Sequence, residues 1–115
     1  MTPAELEAAA LALPAAELSI QWGDDRVYKV GGRMFAATDG AGLHLSFKAS
    51  DIAFEALTES GRAKPARYLA RARWVSFDDI TGLDAAEVAD WLAAAHQLVA
   101  ARLTRARRRE LGLPA

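Results

Sequence analysis

The chain contains no cysteine. Disulfide staples, thiolate metal sites and a cysteine nucleophile are therefore excluded. Histidine is almost as scarce. His44 and His96 stand in separate segments, too few and too far apart for an imidazole metal centre, so no metal or other cofactor is expected. Long apolar runs are missing as well. The longest, Ala8 to Leu13, falls well below the roughly 20 residues that a membrane-spanning helix needs. The first residues, Met-Thr-Pro-Ala-Glu, are acidic rather than basic and do not read as a signal peptide. The expectation is a cytoplasmic protein with no membrane partner. Motifs of catalysis are lacking too. Gly31-Gly32 is not followed by Gly-Lys-Ser/Thr, as a phosphate loop would be, and no nucleophile elbow occurs. No catalytic residue is assigned, and a non-enzymatic role is expected.

What is present suits one domain over residues 1–115 with one core. Hydrophobic residues make up 52% of the chain, but many are alanine, so large core side chains are fewer than that share implies. The net charge of −1 conceals an uneven distribution. Most acids lie in the first half, whereas the cations gather later in two clusters. Arg62, Lys64, Arg67, Arg71 and Arg73 form the first, with no acid between them. Arg102, Arg105, Arg107, Arg108 and Arg109 form the second. Local charge governs encounter with polyanions more than the total does.

The order of elements follows from periodicity and punctuation. Thr2, Pro3 and Glu5 compose a capping box with proline at the first helical position. Leu6, Ala9, Ala10 and Leu13 then supply an apolar helix face, which Pro14 ends. Leu18, Ile20 and Trp22 alternate with Ser19 and Gln21, a half-buried strand that places Trp22 in the core. Gly23-Asp24-Asp25 turns, and Arg26 to Val30 and Arg33 to Thr38 form a hairpin about Gly31-Gly32. After residues 39–42, Leu43, Leu45 and Phe47 face one way and His44, Ser46 and Lys48 the other. A second helix opens at Ser50-Asp51, buries Ile52, Ala53, Ala56 and Leu57, and closes at Gly61. Residues 62–72 resist assignment, with a helical turn expected within Ala66 to Ala72. Trp74 to Phe77 reads as a fifth strand. A last helix, capped by Asp84 and Glu87, carries Val88, Trp91, Leu92, Ala95, Leu98, Val99 and Leu103 on its buried face and ends near Arg109. The fold class is α+β, an antiparallel meander in the order α-β-β-β-β-α-β-α.

Chemistry-bearing residues are few. Asp24-Asp25 and Asp78-Asp79 lack the alternating oxygen ligands of a calcium loop and read as solvated turns. Trp22 and Trp91 fall in phase with apolar neighbours and read as core, while Trp74 adjoins the basic segment and is a candidate stacking platform. Arg62 to Arg73 would hold phosphates by charge-assisted hydrogen bonds, unless acids such as Asp78 and Asp79 neutralise it. The cations at 102–109 fit the negative end of a helix dipole and need no further role.

These residues resemble a known family. Trp22-Gly23 followed by Val27-Tyr28-Lys29-Val30-Gly31-Gly32-Arg33-Met34-Phe35-Ala36 is similar to the first signature of the MmcQ/YjbR family. Ser46-Phe47-Lys48 resembles its strand ending in lysine. Pro65-Ala66-Arg67-Tyr68-Leu69 with Arg73-Trp74-Val75 resembles its second signature. The likeness runs from about Trp22 to Val99. It implies a CyaY-like fold, an antiparallel sheet with helices packed on one face, and a DNA-binding role in which β-hairpins act as wings. By position it implies a shared surface of Lys29, Arg33, Lys48, Pro65, Tyr68 and Trp74. The chain departs from the family where lysine often stands at Arg33, and where Ser-Tyr often precedes the Leu-Val that here follows Ala95, His96 and Gln97.

Taken together, the residues and the resemblance lead us to expect a nucleic-acid-binding protein with weak, sequence-tolerant phosphate contacts. The surface would comprise Lys29, Arg33, Lys48, Lys64, Arg67, Tyr68, Arg71, Arg73 and Trp74, with DNA as the partner. The alternative is a non-enzymatic module for an anionic small molecule or a protein partner. A frataxin-like iron role, suggested by fold type alone, would need a dense carboxylate ridge on the first helix, where only Glu5 and Glu7 stand. Both leading expectations require the cations of the meander and of the Pro-containing connector to converge about Trp74.

Overall fold

Each predicted element forms, and two further ones appear. The computed structural model describes residues 1–114. Its elements are α1 (Pro3–Leu11), β1 (Ala16–Gln21), β2 (Asp25–Val30), β3 (Arg33–Thr38), β4 (Leu45–Lys48), α2 (Asp51–Glu59), β5 (Lys64–Pro65), a 3₁₀ turn (Ala70–Ala72), β6 (Trp74–Phe77), α3 (Ala85–Ala100) and α4 (Arg105–Glu110). The strands make one antiparallel sheet in the order β1-β2-β3-β4-β6-β5. Among the described residues no helix is long and apolar enough to cross a membrane.

The pleat sorts side chains by face. Tyr28 pairs with Ala36, Ala36 with Phe47, and Phe47 with Val75, so these residues line one row across four strands. That row is buried and forms the floor of the core. α1, α2 and α3 cover it with Leu6, Ala10, Leu57, Val88, Leu92, Ala95 and Val99. Trp91 stacks on Phe77 and Phe47 with ring centroids 5.1 and 5.7 Å apart. The alternate residues Ser19, Ala37, Ser46, Ser76 and Lys64 follow on the opposite face. A register shift at Tyr28/Lys29 against β3 lets consecutive Phe35 and Ala36 both be buried, as a β-bulge does.

Several expectations give way to tertiary geometry. β1 stops at Gln21, so Trp22 begins the hairpin loop with φ 52° and is 68% exposed rather than packed in the core. Leu43 precedes β4 and is exposed, because Asp39 Oδ1 accepts from the Leu43 and His44 amides and holds them in a turn. On α2 the buried stripe is rotated. Ile52 is 85% exposed, Ala56 is also exposed, and Ala53, Phe54 and Leu57 pack inward instead. The segment left unassigned contains β5, whose Lys64 and Pro65 pair with Ser76 and Val75. The proline is tolerated there because β5 is an edge strand. The last helix is not continuous. Thr104 Oγ1 accepts from the Arg107 amide at 3.1 Å and starts α4 after a turn at residues 101–104.

Candidate functional site

The antiparallel register brings three strand ends together. β3 begins, β4 ends and β6 begins at the same end of the sheet. Gly31 and Gly32, with φ of 60° and 82°, form the tight turn that delivers Arg33 there. Lys48 pairs directly with Trp74 in the ladder. The break between α3 and α4 adds a fourth contributor. Leu103 and Leu111 pack onto Gly31, where a Cβ would lie 2.7 Å from Leu103 Cδ1 and 3.3 Å from Leu111 Cδ1. Arg108 pins the same turn by donating to the carbonyls of Ala101 (3.1 Å) and Leu103 (3.0 Å). Arg102 is thereby carried to the strand ends.

The result is an open depression of about 320 Å³ lined by Arg33, Met34, Lys48, Ala72, Trp74, Val99 and Arg102. Three cations stand in its wall and no carboxylate does. Trp74, 4% exposed, is part of its packed wall and cannot offer a ring face for stacking. Lys48 Nζ donates to the Ala72 carbonyl. Burial of its ammonium, then the Arg102 and Arg73 guanidiniums, pull Lys48 below the usual lysine range against the attraction of Asp51. An anion bound beside this ammonium would favour its charged form.

The other predicted cations distribute as follows. Arg73 borders the depression through Lys48, but its Nε donates to Asp51 at 3.1 Å and its guanidinium lies 5.1 Å from the Phe54 ring centroid. Lys64 is drawn away to Asp78 at 2.6 Å. Its ammonium holds the Asp78 carboxyl below the usual range, so the neutralisation weighed for the connector operates at this residue. Arg62 is likewise bound to Glu87, at 3.1 and 2.7 Å. Arg67 lies 5.9 Å from the ring centroid of Tyr68, which is 93% exposed. Arg71 is exposed and Lys29 lies opposite Glu17 and Met34 on the sheet. Among the described residues neither Lys29, Arg33, Lys48, Arg67, Arg71 nor Arg102 forms an ion pair within 4 Å. Of the expected set, Arg33 and Lys48 from the meander converge beside Trp74, and Arg102, outside that set, joins them. Of the connector cations only Arg73 borders the depression, Lys64 is drawn away, and Arg67, Arg71 and the meander's Lys29 do not line it, so the expected meeting of meander and connector is only partial.

Arg102 was missed as a site residue. Grouping it with Arg105, Arg107, Arg108 and Arg109 as one helix end concealed the turn that separates it. The signal was Thr104, an N-cap residue type placed before a new run. The first-helix carboxylates have other duties. Glu5 closes the capping box with Thr2, and Glu7 accepts from Arg26 at 2.7 Å and from the Tyr28 hydroxyl at 3.4 Å. Among the described residues no three His, Asp or Glu side chains group to hold a metal ion.

Comparison with known proteins agrees with this architecture. A family model described as YjbR matches residues 11–98. The crystal structure of Deinococcus radiodurans protein DR2400, described as a DUF419 domain, is similar at a TM-score of 0.86 and 30% identity, covering 98% of this chain and 89% of that one. No curated protein matches the chain.

Proposed function

The chain belongs to the YjbR family, and from that premise we propose that it is a non-enzymatic nucleic-acid-binding protein holding phosphates at the depression between Arg33, Lys48 and Arg102. One observation carries the reading: three cations, from β3, β4 and the α3–α4 turn, line one concavity that has no acid in its wall. Each has a hydrogen-bonding head free of any carboxylate partner among the described residues. Arginine forks and a lysine ammonium bind phosphate oxygens by charge-assisted bonds. The helix after the turn at 101–104, α4, has only six residues, too short for a recognition helix, and the chain has no cysteine for a zinc finger, so in this reading contacts are to the backbone and sequence-tolerant.

Binding of this kind is electrostatic and falls steeply with salt. The test is fluorescence anisotropy with labelled DNA at low ionic strength, repeated along a salt series. Saturable binding with a negative log–log salt slope supports the reading, and no binding at low salt rejects it. A second reading keeps the same residues but gives them a small anionic ligand, because a depression of about 320 Å³ falls in the range of small-molecule sites. A thermal-shift screen with phosphate and small organic anions separates the two, since a pocket ligand raises the melting temperature by mass action.

A further inference from the structure

Tyr68 is placed where the core gains nothing from it. Leu69 N donates to Ala66 O at 3.2 Å, closing a turn in which Arg67 and Tyr68 are the two central residues. The second of these has φ 67°, a left-handed position that glycine fills without strain and tyrosine does not. The ring is 93% exposed, and its hydroxyl has no hydrogen-bond partner among the described residues. Its contribution to the fold is therefore confined to an exposed cation–π contact with Arg67. The turn itself is anchored by backbone hydrogen bonds. Ala66 N donates to Trp74 O at 2.9 Å, Trp74 N donates to Leu69 O at 3.2 Å, and Ala66 is buried. The ring is thus held out into solvent by a framework anchored on Trp74. One of its neighbours is Arg67, whose guanidinium lies 5.9 Å from its centroid. The same connector supplies Ala72, which lines the cationic depression and accepts from Lys48.

We infer that Tyr68, flanked by Arg67, is a stacking platform for an unpaired base whose phosphates lie toward Arg33, Lys48 and Arg102, so that the preferred polymer is single-stranded nucleic acid. This rests on the phosphate-binding reading above and narrows it. A duplex presents its base faces only to one another, whereas a single strand can lay one on an exposed ring. Strain held at an exposed residue is explained when the ring works against a partner outside the chain.

Anisotropy with a labelled oligothymidylate and with a duplex of equal length, both at low salt, tests the inference. The wild-type protein is expected to bind the single strand more tightly. Tyr68→Ala is expected to lose about tenfold on the single strand and little on the duplex, the order of one base stack. Tyr68→Phe should keep the affinity. Tyr68→Gly should bind as weakly as Tyr68→Ala yet melt no lower than the wild type, because glycine relaxes the backbone. If Tyr68→Ala binds the single strand as the wild type does while charge variants weaken it, the stacking inference fails and the phosphate site stands. A lower melting temperature for Tyr68→Gly assigns the ring a structural role and also overturns it. If neither polymer binds the wild type, both readings fall together.

Discussion

Replacing Gly31 with alanine should destabilise the protein far more than the same change one residue later. Both glycines have positive φ, so alanine at either position suffers the left-handed penalty of about 1–2 kcal/mol. The entropy lost by the unfolded chain is also common to both. Their surroundings differ. A Cβ on Gly31 would stand 2.7 and 2.9 Å from the two Leu103 methyls, while a Cβ on Gly32 meets nothing within 4 Å. The close atoms are the ends of the Leu103 side chain, but that side chain is buried and its methyls have little free space to swing into. Overpacking of this type adds about 1–3 kcal/mol. At roughly 4 °C per kcal/mol, Gly31→Ala should melt about 4–12 °C below Gly32→Ala. Circular-dichroism melts and urea titrations with unchanged m-values would measure the difference. Adding Leu103→Ala should recover part of the Gly31→Ala loss, a coupling that a double-mutant cycle isolates. Equal losses at the two glycines, or no coupling to Leu103, would refute the claim that the α3–α4 turn docks on this hairpin, and with it the placement of Arg102.

Three further outcomes follow from the same geometry. Arg33→Gln, Lys48→Gln and Arg102→Gln should each weaken DNA binding and reduce the log–log salt slope by about one, whereas Lys64→Gln, already held by Asp78, should change neither; anisotropy salt series decide it. Burial, followed by the Glu7 carboxylate, pushes the Tyr28 hydroxyl up to about 12. Because the folded value is raised above the ordinary 10, its contribution to stability is complete below pH 10 and is lost as pH rises toward 12, at up to about 1.4 kcal/mol per unit. Urea denaturation across that window should show the decline, and Tyr28→Phe should flatten it. Thr104→Ala removes the cap of α4 and should cost about 1 kcal/mol by urea denaturation, a loss that Thr104→Ser restores.

The legible parts of the molecule were those written in local pattern. The capping box at Thr2 and Glu5, the Gly31-Gly32 hairpin, the alternation of Leu45 and Phe47 and the long stripe of α3 all have neighbours in sequence that enforce them. The errors share one cause. Trp22 and Ile52 continue an apolar rhythm, but β1 ends before Trp22 and α2 turns Phe54 inward instead of Ile52, because the position of the core decides which residues in phase are buried. The β5 strand was invisible because two residues carry no period; only its ladder partner β6 defines it. On the site, Arg33, Lys48 and Arg102 are each ordinary in sequence, two on strands and one in the turn after α3.

Sequence alone thus determined the α+β class and every element except β5 and α4, since periodicity and capping act over a few residues. It also placed two cation clusters in the second half of the chain. Which cations stand free was decided by folding. Long-range pairing of β3, β4 and β6 and the docking of Leu103 on Gly31 set Arg33, Lys48 and Arg102 side by side, while Asp78 and Glu87, distant in sequence, drew Lys64 and Arg62 away. Charge is a property of a residue, but an electrostatic surface depends on distances across the fold, and those are fixed only when the core closes.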